Sequence, residues 1–366
     1  MGLHEGLTLV KALTHTVPDA LSTSRLAQDG EATRCRYAFA AAACDLDESK
    51  CERVRQVAPG VPTTTDFDAL LAREDVALVA IYTPDATHAD LIEQAMRAGK
   101  HVICTKPLVV TIRDAARIHR VAEETAMRLQ VGQSTRFFPP FVEQRAAYER
   151  GEIGALDLID THYVHRMDWF YEKSPWAKDT TDWIFLGMSH PLDLLTWYGG
   201  PAEEVTAVSA QSAMSRSYEA TGPDVYCVNV RFADGRIGRA LGHYGLVELP
   251  SARNAIECVL FGDEGTSQAQ YHDMRYRQTL PDGGEMLVDR LYAGRGPFFN
   301  NEVHGMHYGE FAAYTDHFAQ ALLEATPNQP DLASGLETFA LMESSRRSAL
   351  RGEPVNVAEV RAEIFS

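Results

Sequence analysis

Short apolar runs alternate with amphipathic stretches through the first third of the sequence. Residues 76–83 read VALVAIYT, a continuous apolar run that Pro84 and Asp85 close, which is typical of a buried parallel strand. A helical pattern over 86–98 ends at Gly99, and a second apolar run follows at 101–104. The pattern therefore predicts a strand, a helix and a strand, with Lys106 just beyond the second strand. Ligands of open α/β sheets bind at this carboxyl edge.

Predicted strands and helices alternate on both sides of this unit up to about residue 150, and after it the pattern is mostly that of strands. We predict a first domain over 1–133, a Rossmann-like doubly wound parallel sheet whose first strand is missing from the sequence. Residues 134–366 form a second, α+β domain, in which helices cover a large, mainly antiparallel sheet and the C-terminal helices pack back on the first domain. The predicted strands are 37–44, 129–133, 156–164, 205–213, 225–232, 237–243 and 256–261, and the other predicted helices are 48–57, 66–73, 111–127, 309–324 and 332–350.

Composition restricts the classes of partner. The chain has 366 residues, 45% of them apolar, with a formal charge of -17, which argues against binding nucleic acid or an anionic membrane. No apolar stretch approaches the roughly 20 residues that span a bilayer, and no secretory leader begins the chain. Six cysteines without a CxxC pair indicate free thiols in a reducing compartment. We expect a cytoplasmic protein without a metal site, because no histidine or cysteine cluster has ligand spacing.

The start of the chain departs from a complete nucleotide-binding unit. A helical pattern at 7–13 follows Gly2 and Gly6, which resemble the remnant of a phosphate-binding glycine turn. The buried strand that should precede such a turn is missing, so either the start is wrongly assigned or the strand is lost. A plain N-terminal helix with a flexible lead is the alternative.

Asp45 supports a dinucleotide cofactor. It ends the predicted strand 37–44, where a carboxylate accepts hydrogen bonds from the adenosine ribose. Residues 46–48 contain no arginine or lysine for a 2′-phosphate, so the sequence favours NAD over NADP. The alternative role of Asp45 is to cap the helix that begins near Glu48.

Three motifs occur in order: TPDATH at 83–88, AGKHV at 98–102 and TKP at 105–107. Together they resemble the Gfo/Idh/MocA family of glucose-fructose oxidoreductase and inositol dehydrogenase. The resemblance covers nearly the whole chain apart from the missing strand. It continues through GQSTRFFP at 132–139, GEIG at 151–154, HPLDLL at 190–195 and ALRGEPV at 349–355.

The resemblance implies an NAD(P)-dependent dehydrogenase that oxidises a hydroxyl carbon of a sugar, cyclitol or related polyol. Lys106 and His190 match the family's catalytic pair: His190 would take the hydroxyl proton, and Lys106 would stabilise the charge that develops on the reacting oxygen. Their roles are exchanged if the pKa of Lys106 is low enough for it to act as the base. The expected cofactor residues are Gly2, Gly6, Asp45, Thr83, Pro84, His88, Thr105 and Lys106, and the expected substrate residues are Arg136, Trp176, His190 and Asp193.

Two positions depart from the family pattern. Thr105 stands where the family usually has glutamate, and Leu186 stands where it usually has aspartate, four residues before His190. Asp182 is a possible substitute for the second carboxylate. Two alternative functions stay open: a redox-neutral sugar enzyme that retains NAD for glycoside cleavage or epimerisation, and a catalytically silent sugar sensor. The four tryptophans, which include Trp176, either contact a sugar or pack between the domains. We expect a homodimer or homotetramer.

Overall fold

A computed structural model describes residues 5–14, 35, 37–248, 255–290 and 310–366, and it divides the chain into two compact units. The first unit comprises Met1–Phe137 and Tyr292–Ala333, and the second comprises Phe138–Leu291 and Ser334–Ser366. The segment Tyr292–Ala333 thus belongs to the first unit, whereas a single division of the chain at residue 133 places it in the second domain.

Parallel strands and helices alternate in the first unit. Three of these helices begin at local signals: Asp47, Asp66 and Thr111 each accept a hydrogen bond from a backbone N–H in the first turn of the helix that follows. The elements are α1 (Glu5–Thr14), β1 (Ala43–Cys44), α2 (Glu48–Val57), β2 (Thr63–Thr64), α3 (Phe67–Leu71), β3 (Leu78–Ile81), α4 (His88–Arg97), β4 (His101–Thr105), α5 (Ile112–Thr125), β5 (Leu129–Gly132) and, after the second unit's sheet, α12 (Glu310–Leu323).

The parallel strands form two separate ladders. β1 pairs with β2, and β4 lies between β3 and β5, with Val102 opposite Val79 and Leu129. In a doubly wound sheet of this kind the first strand of the fold lies in the middle, between two such pieces. Among the residues described, no ladder joins the two pieces.

The strand predicted at 37–44 is wrong in its extent, because only its last two residues pair with β2. The backbone N–H groups of Tyr37 and Ala38 instead donate to Asp316 Oδ1, at 2.8 and 3.2 Å. Asp316 lies on α12, more than 270 residues away along the chain. The start of this segment is therefore held by hydrogen bonds to a helix, and local periodicity could not reveal that partner.

A buried cluster connects α1 and α12 to the three-stranded ladder. Leu9 on α1 packs with Tyr82 and Ile103 from the ladder and with Phe311 and Phe318 on α12. The hydroxyl groups of Tyr82 and Tyr314 hydrogen-bond each other inside this cluster. The same helix α1 contacts a second cluster around β1, so it is fixed on two sides.

The second unit is built on one nine-stranded sheet in the order β13-β12-β11-β10-β6-β9-β8-β7-β14. Among the strands that the structure describes, only β6 and β9 pair in parallel, so the sheet is mainly antiparallel as predicted. Its elements are α6 (Pro139–Glu149), β6 (Leu156–Val164), α7 (Asp168–Lys173), α8 (Ala177–Thr180), α9 (Trp183–Leu186), α10 (Ser189–Gly199), β7 (Ala202–Ala210), α11 (Ala213–Ser217), β8 (Val225–Phe232), β9 (Ile237–His243), β10 (Ile256–Gly262), β11 (Thr266–Tyr271), β12 (Arg275–Thr279), β13 (Glu285–Asp289), α13 (Leu332–Arg351), β14 (Val355–Asn356) and α14 (Val357–Phe365).

Helices cover one face of this sheet. α10 packs on β6 and β9, and Phe339 on α13 stacks on Phe185 with ring centroids 5.8 Å apart. The other face carries the outward residues of β8 and β9, where buried and exposed positions alternate. None of the helices in the described part of the chain is long and apolar enough to cross a bilayer.

Candidate active site

Lys106 directly follows β4, at the carboxyl edge of the three-stranded ladder. Its side chain is partly buried, and removal from water lowers the pKa of its ammonium group, while Glu5 and Asp85 act in the opposite direction. Gly132 lets β5 approach this point closely, since a Cβ atom there would lie 3.0 Å from Thr105 Cα. At this edge, where β4 and β5 end, the Lys106 amine thus has a lowered pKa, and the carboxylates of Glu5 and Asp85 act on its charge.

His88 connects the loop after β3 to the segment that carries Lys106. Its Nδ1 lies 2.8 Å from the Pro107 carbonyl oxygen, and its Nε2 lies 2.9 Å from the Thr83 carbonyl oxygen. His88 is buried, and Thr83 Oγ1 lies 2.7 Å from Thr87 Oγ1. The structure therefore uses the imidazole of His88 to join the ends of β3 and β4. A direct hydrogen bond from His88 to the cofactor remains a prediction.

Asp45 follows β1 at the end of the other parallel ladder, and its side chain is buried. Asp47, and not Asp45, caps α2 by accepting a hydrogen bond from the Ser49 N–H. Asp45 Oδ1 accepts from the Asp47 N–H at 3.0 Å, and Lys50 Nζ lies 3.4 Å from the same oxygen. The first turn of α2 brings this lysine close, although it lies beyond residues 46–48, where the sequence contains no basic residue.

The predicted glycine turn is only partly visible. Gly6 is buried in the first turn of α1, and Gly2 lies outside the described residues. A site for the cofactor's phosphates is therefore not defined by these two glycines. The groups at the strand ends still suit a dinucleotide: a buried carboxylate at Asp45 for a ribose diol, and the hydroxyls of Thr83 and Thr105 beside an amine.

His190 occupies the first turn of α10 in the second unit and is buried among aromatic rings. The Tyr163 ring meets the imidazole edge to face at 5.5 Å, and Tyr163 in turn contacts Tyr244. Trp183 stacks on Tyr244 at 4.6 Å. Gly187 makes this packing possible, because a Cβ atom there would lie 2.2 Å from Tyr244 Cζ.

The acidic residues near α10 make contacts of their own. Asp182 caps α9 through the Ile184 N–H and accepts a hydrogen bond from the Tyr226 hydroxyl at 2.9 Å, and burial raises its pKa. Asp193 is buried and accepts a hydrogen bond from Thr338 Oγ1 at 3.1 Å. The carboxylate of Asp182 thus supports α9 and β8, which weakens the hypothesis that it replaces the aspartate expected at position 186.

The predicted substrate residues differ in their exposure. Arg136 is buried in a short 3₁₀ helix (Ser134–Phe137) after β5. Trp176 precedes α8, is 42% exposed and contacts the Phe170 ring. Trp183, by contrast, belongs to the buried rings behind His190. Of these two tryptophans, Trp176 is the one that presents a flat apolar surface to solvent.

Metal binding has no support in the part of the chain that the structure describes, where no group of three or more His, Cys, Asp or Glu side chains could hold an ion. The cysteines within the same residues are free thiols, and burial raises the pKa values of Cys104 and Cys258. Nucleophilic thiol chemistry at Cys104 and Cys258 is therefore disfavoured.

The first unit has the parallel ladders of a Rossmann-type nucleotide-binding fold, with an amine and a carboxylate at their carboxyl edges, and the second unit has a large mixed sheet. Residues 24–133 match the oxidoreductase family with an NAD-binding Rossmann fold, Gfo/Idh/MocA, and residues 145–357 match its C-terminal alpha/beta domain. The chain belongs to the Gfo/Idh/MocA oxidoreductase family. This assignment confirms the resemblance, the fold class and NAD as the family's cofactor.

Individual relatives agree with the family assignment. Inositol 2-dehydrogenase of Rhizobium meliloti is 39% identical over 93 residues, which are 25% of this chain and 28% of that protein. The oxidoreductase YrbE of Bacillus subtilis is 29% identical over 304 residues, 80% of this chain and 82% of that protein. Across four curated relatives, the matched segments span 28% to 44% of the relative's own length.

A solved structure shares the fold along most of its length. It is an oxidoreductase from Agrobacterium radiobacter in complex with NAD+, L-tartaric acid and magnesium. The two chains superimpose with a TM-score of 0.75 at 23% identity, over 87% of this chain and 91% of that one.

The Glu5 side chain was not predicted to lie near Thr105 and Lys106. Thr105 Oγ1 donates a hydrogen bond to Glu5 Oε2 at 3.3 Å. The two residues are 100 positions apart, so no local pattern could indicate the contact. The only available signal was the departure from the family pattern at Thr105, which left a carboxylate unaccounted for.

Proposed function

We propose that this protein is an NAD-dependent dehydrogenase that oxidises a hydroxyl carbon of a sugar, cyclitol or related polyol. The observation that carries the proposal is the partly buried Lys106 at the carboxyl end of β4, where Glu5 and Asp85 act on its charge. Family membership and the relation to an inositol 2-dehydrogenase support the substrate class.

Asp45 would hold the adenosine ribose, and the segment from Thr105 to Lys106 would lie beside the reacting half of the cofactor. Bound NAD would supply the acceptor for the hydride that leaves the substrate carbon. The hydroxyl proton of the same carbon passes to His190, so that the C–O bond becomes a carbonyl while hydride and proton leave separately.

Lys106 donates a hydrogen bond to the reacting oxygen and stabilises the negative charge that develops there. In this proposal, Lys106 and His190 would act on the same substrate oxygen. Trp176 would pack its ring on an apolar face of the sugar, and Arg136 and Asp193 would bind or orient its polar groups.

The test begins with calorimetric titration of NAD and continues with a panel of sugars and cyclitols, followed by NADH absorbance. We expect NAD binding and turnover of at least one polyol. Lys106→Met should lower kcat/KM about 100-fold or more, whereas Lys100→Met, just before the amino end of β4, should leave it unchanged. Conversion of a glycoside without net NADH would instead favour the redox-neutral alternative, and binding of a sugar without NAD would favour a sensor.

We also propose a homo-oligomer, cytoplasmic in location, in which the open face of the nine-stranded sheet is covered by a second copy. Val208 and Leu241 lie in one row across β7, β8 and β9, and Ile237 and Phe261 lie in another. All four are at least 37% exposed. Leu241→Arg should shift the mass measured by light scattering toward the monomer, and an unchanged mass would contradict this interface.

A further inference from the structure

Glu5 is held at a defined place by the packing of its helix. Leu9 on α1 packs with Tyr82 and Ile103 of the three-stranded ladder. Leu7 and Val10, on another side of α1, pack in the cluster around β1. Because α1 is fixed on both sides, its first residue has little freedom to move away from the strand ends.

The contact between Glu5 and Thr105 connects α1 to the residue before Lys106. Thr105 is buried, ends β4 and donates its hydroxyl to Glu5 Oε2 at 3.3 Å. A hydrogen bond to a carboxylate is stronger than one between neutral groups. At 3.3 Å this contact is long for such a bond, and it places the Glu5 carboxylate beside Thr105, the residue before Lys106.

The charge of Glu5 also reaches Lys106. Burial lowers the pKa of the lysine, and Glu5 and Asp85 are the two carboxylates that raise it, Glu5 the more strongly. The Tyr82 and Tyr314 hydroxyls lie in the same surroundings, where burial raises their pKa values and keeps both neutral. Glu310 acts on these tyrosines as Glu5 does, so the acidic groups near this edge come from α1, α12 and the loop after β3.

We propose that Glu5 is a positioning residue for Lys106: its carboxylate, oriented by the Thr105 hydroxyl, supplies from α1 the negative charge that position 105 does not carry. The inference rests on the proposed function of Lys106. The competing explanation is that Glu5 only stabilises the first turn of α1 through the helix dipole. That structural role would change helix stability without changing the protonation of the lysine.

The test measures the protonation of Lys106 directly. Competitive acylation with acetic anhydride across a pH series, read by mass spectrometry of the Lys106 peptide, gives its pKa in the folded protein without cofactor or turnover. Glu5→Gln should lower that pKa by about half a unit or more. Asp85→Asn should lower it less, and Glu48→Gln, in the first turn of α2, should leave it unchanged.

The hydroxyl of Thr105 provides a second variant. Thr105→Val should reproduce part of the effect of Glu5→Gln, and Thr105→Ser, which keeps the hydroxyl, should not. If both residues act through one contact, the double variant Glu5→Gln/Thr105→Val should differ little from Glu5→Gln alone. The thermal unfolding of each variant shows whether it is folded.

The outcomes separate the two proposals. An unchanged Lys106 pKa in folded Glu5→Gln and Thr105→Val would overturn the positioning role, whatever the enzyme's activity. A lowered pKa would support it. A lowered pKa together with full activity of Lys106→Met would keep the coupling between Glu5 and Lys106 but would contradict the proposed function of the lysine.

Discussion

The two proposed catalytic residues lie in opposite kinds of surroundings. Lys106 lies at a strand edge among hydrogen-bonded polar groups, with Glu5 and Asp85 acting on its charge. His190 lies at the start of a helix, in contact with the uncharged aromatic ring of Tyr163. The comparison suggests that Lys106 is adjusted by electrostatics and His190 by packing, so different changes should damage each.

The largest effect is expected from removing the imidazole. His190→Asn keeps a polar side chain of similar length but cannot accept a proton, so kcat/KM should fall about 100- to 10,000-fold. His119→Asn, on the surface of α5, is the matched control and should leave kcat/KM unchanged. Loss of less than tenfold in His190→Asn would mean that the aromatic site does not hold the base.

A packing change should damage the second unit alone. Gly187→Ala places a methyl group where Tyr244 Cζ would be 2.2 Å away, in a ring stack that is fully buried. We expect a loss of about 1–3 kcal/mol in the free energy of unfolding, measured in urea. Activity should fall with it, while the affinity for NAD stays unchanged.

Gly60→Ala provides the control for this variant, because nothing lies within 4 Å of a Cβ atom at that position. Equal stability of Gly187→Ala and Gly60→Ala would show that the rings around Tyr244 yield easily. The idea that packing holds His190 in place would then be wrong.

The strands that position Lys106 could be predicted from the sequence. Apolar runs at 76–83 and 101–104 are local signals: β3 forms within the first, and β4 covers the second and Thr105, with Lys106 directly after it. The motif around His190 likewise predicted the residue but not its surroundings. Tyr163 on β6 and Tyr244 just after β9 are distant from α10 along the chain, and only the folded sheet brings Tyr163 to the imidazole and Tyr244 to Tyr163.

Other features could not be found because their partners are distant or their patterns are weak. Strands β11 and β12 have Gln side chains at buried positions, and β13 has Glu and Asp at its two ends, so these strands lack the clear apolar alternation of β8. The contact of Glu5 with Thr105 and that of Asp182 with Tyr226 depend on tertiary structure in the same way.

The smallest expected effect concerns stability on the Lys106 side. The folded-state pKa of Lys106 lies below its ordinary value of 10.5, because burial disfavours the charged form. The unfolded chain therefore binds more protons between these two pKa values, and this residue's contribution to stability rises with pH across that window. Below this pH window, the buried charge of Lys106 destabilises the folded state in full. Above the window, the lysine is neutral and this destabilisation is absent.

Lys106→Met removes this cost and should raise the unfolding temperature by about 1–3 °C at neutral pH, with the gain shrinking as the pH rises toward 10.5. Differential scanning calorimetry over that pH range measures it, with Lys100→Met, at the other end of β4, as the control for a lysine-to-methionine change. A gain that is constant with pH would mean that the methionine stabilises by packing alone. A loss of stability would mean that the attraction of the Glu5 and Asp85 carboxylates exceeds the free energy lost by burying the charge. Lys106 would then be a stable cation, and its surroundings would differ even more from those of His190.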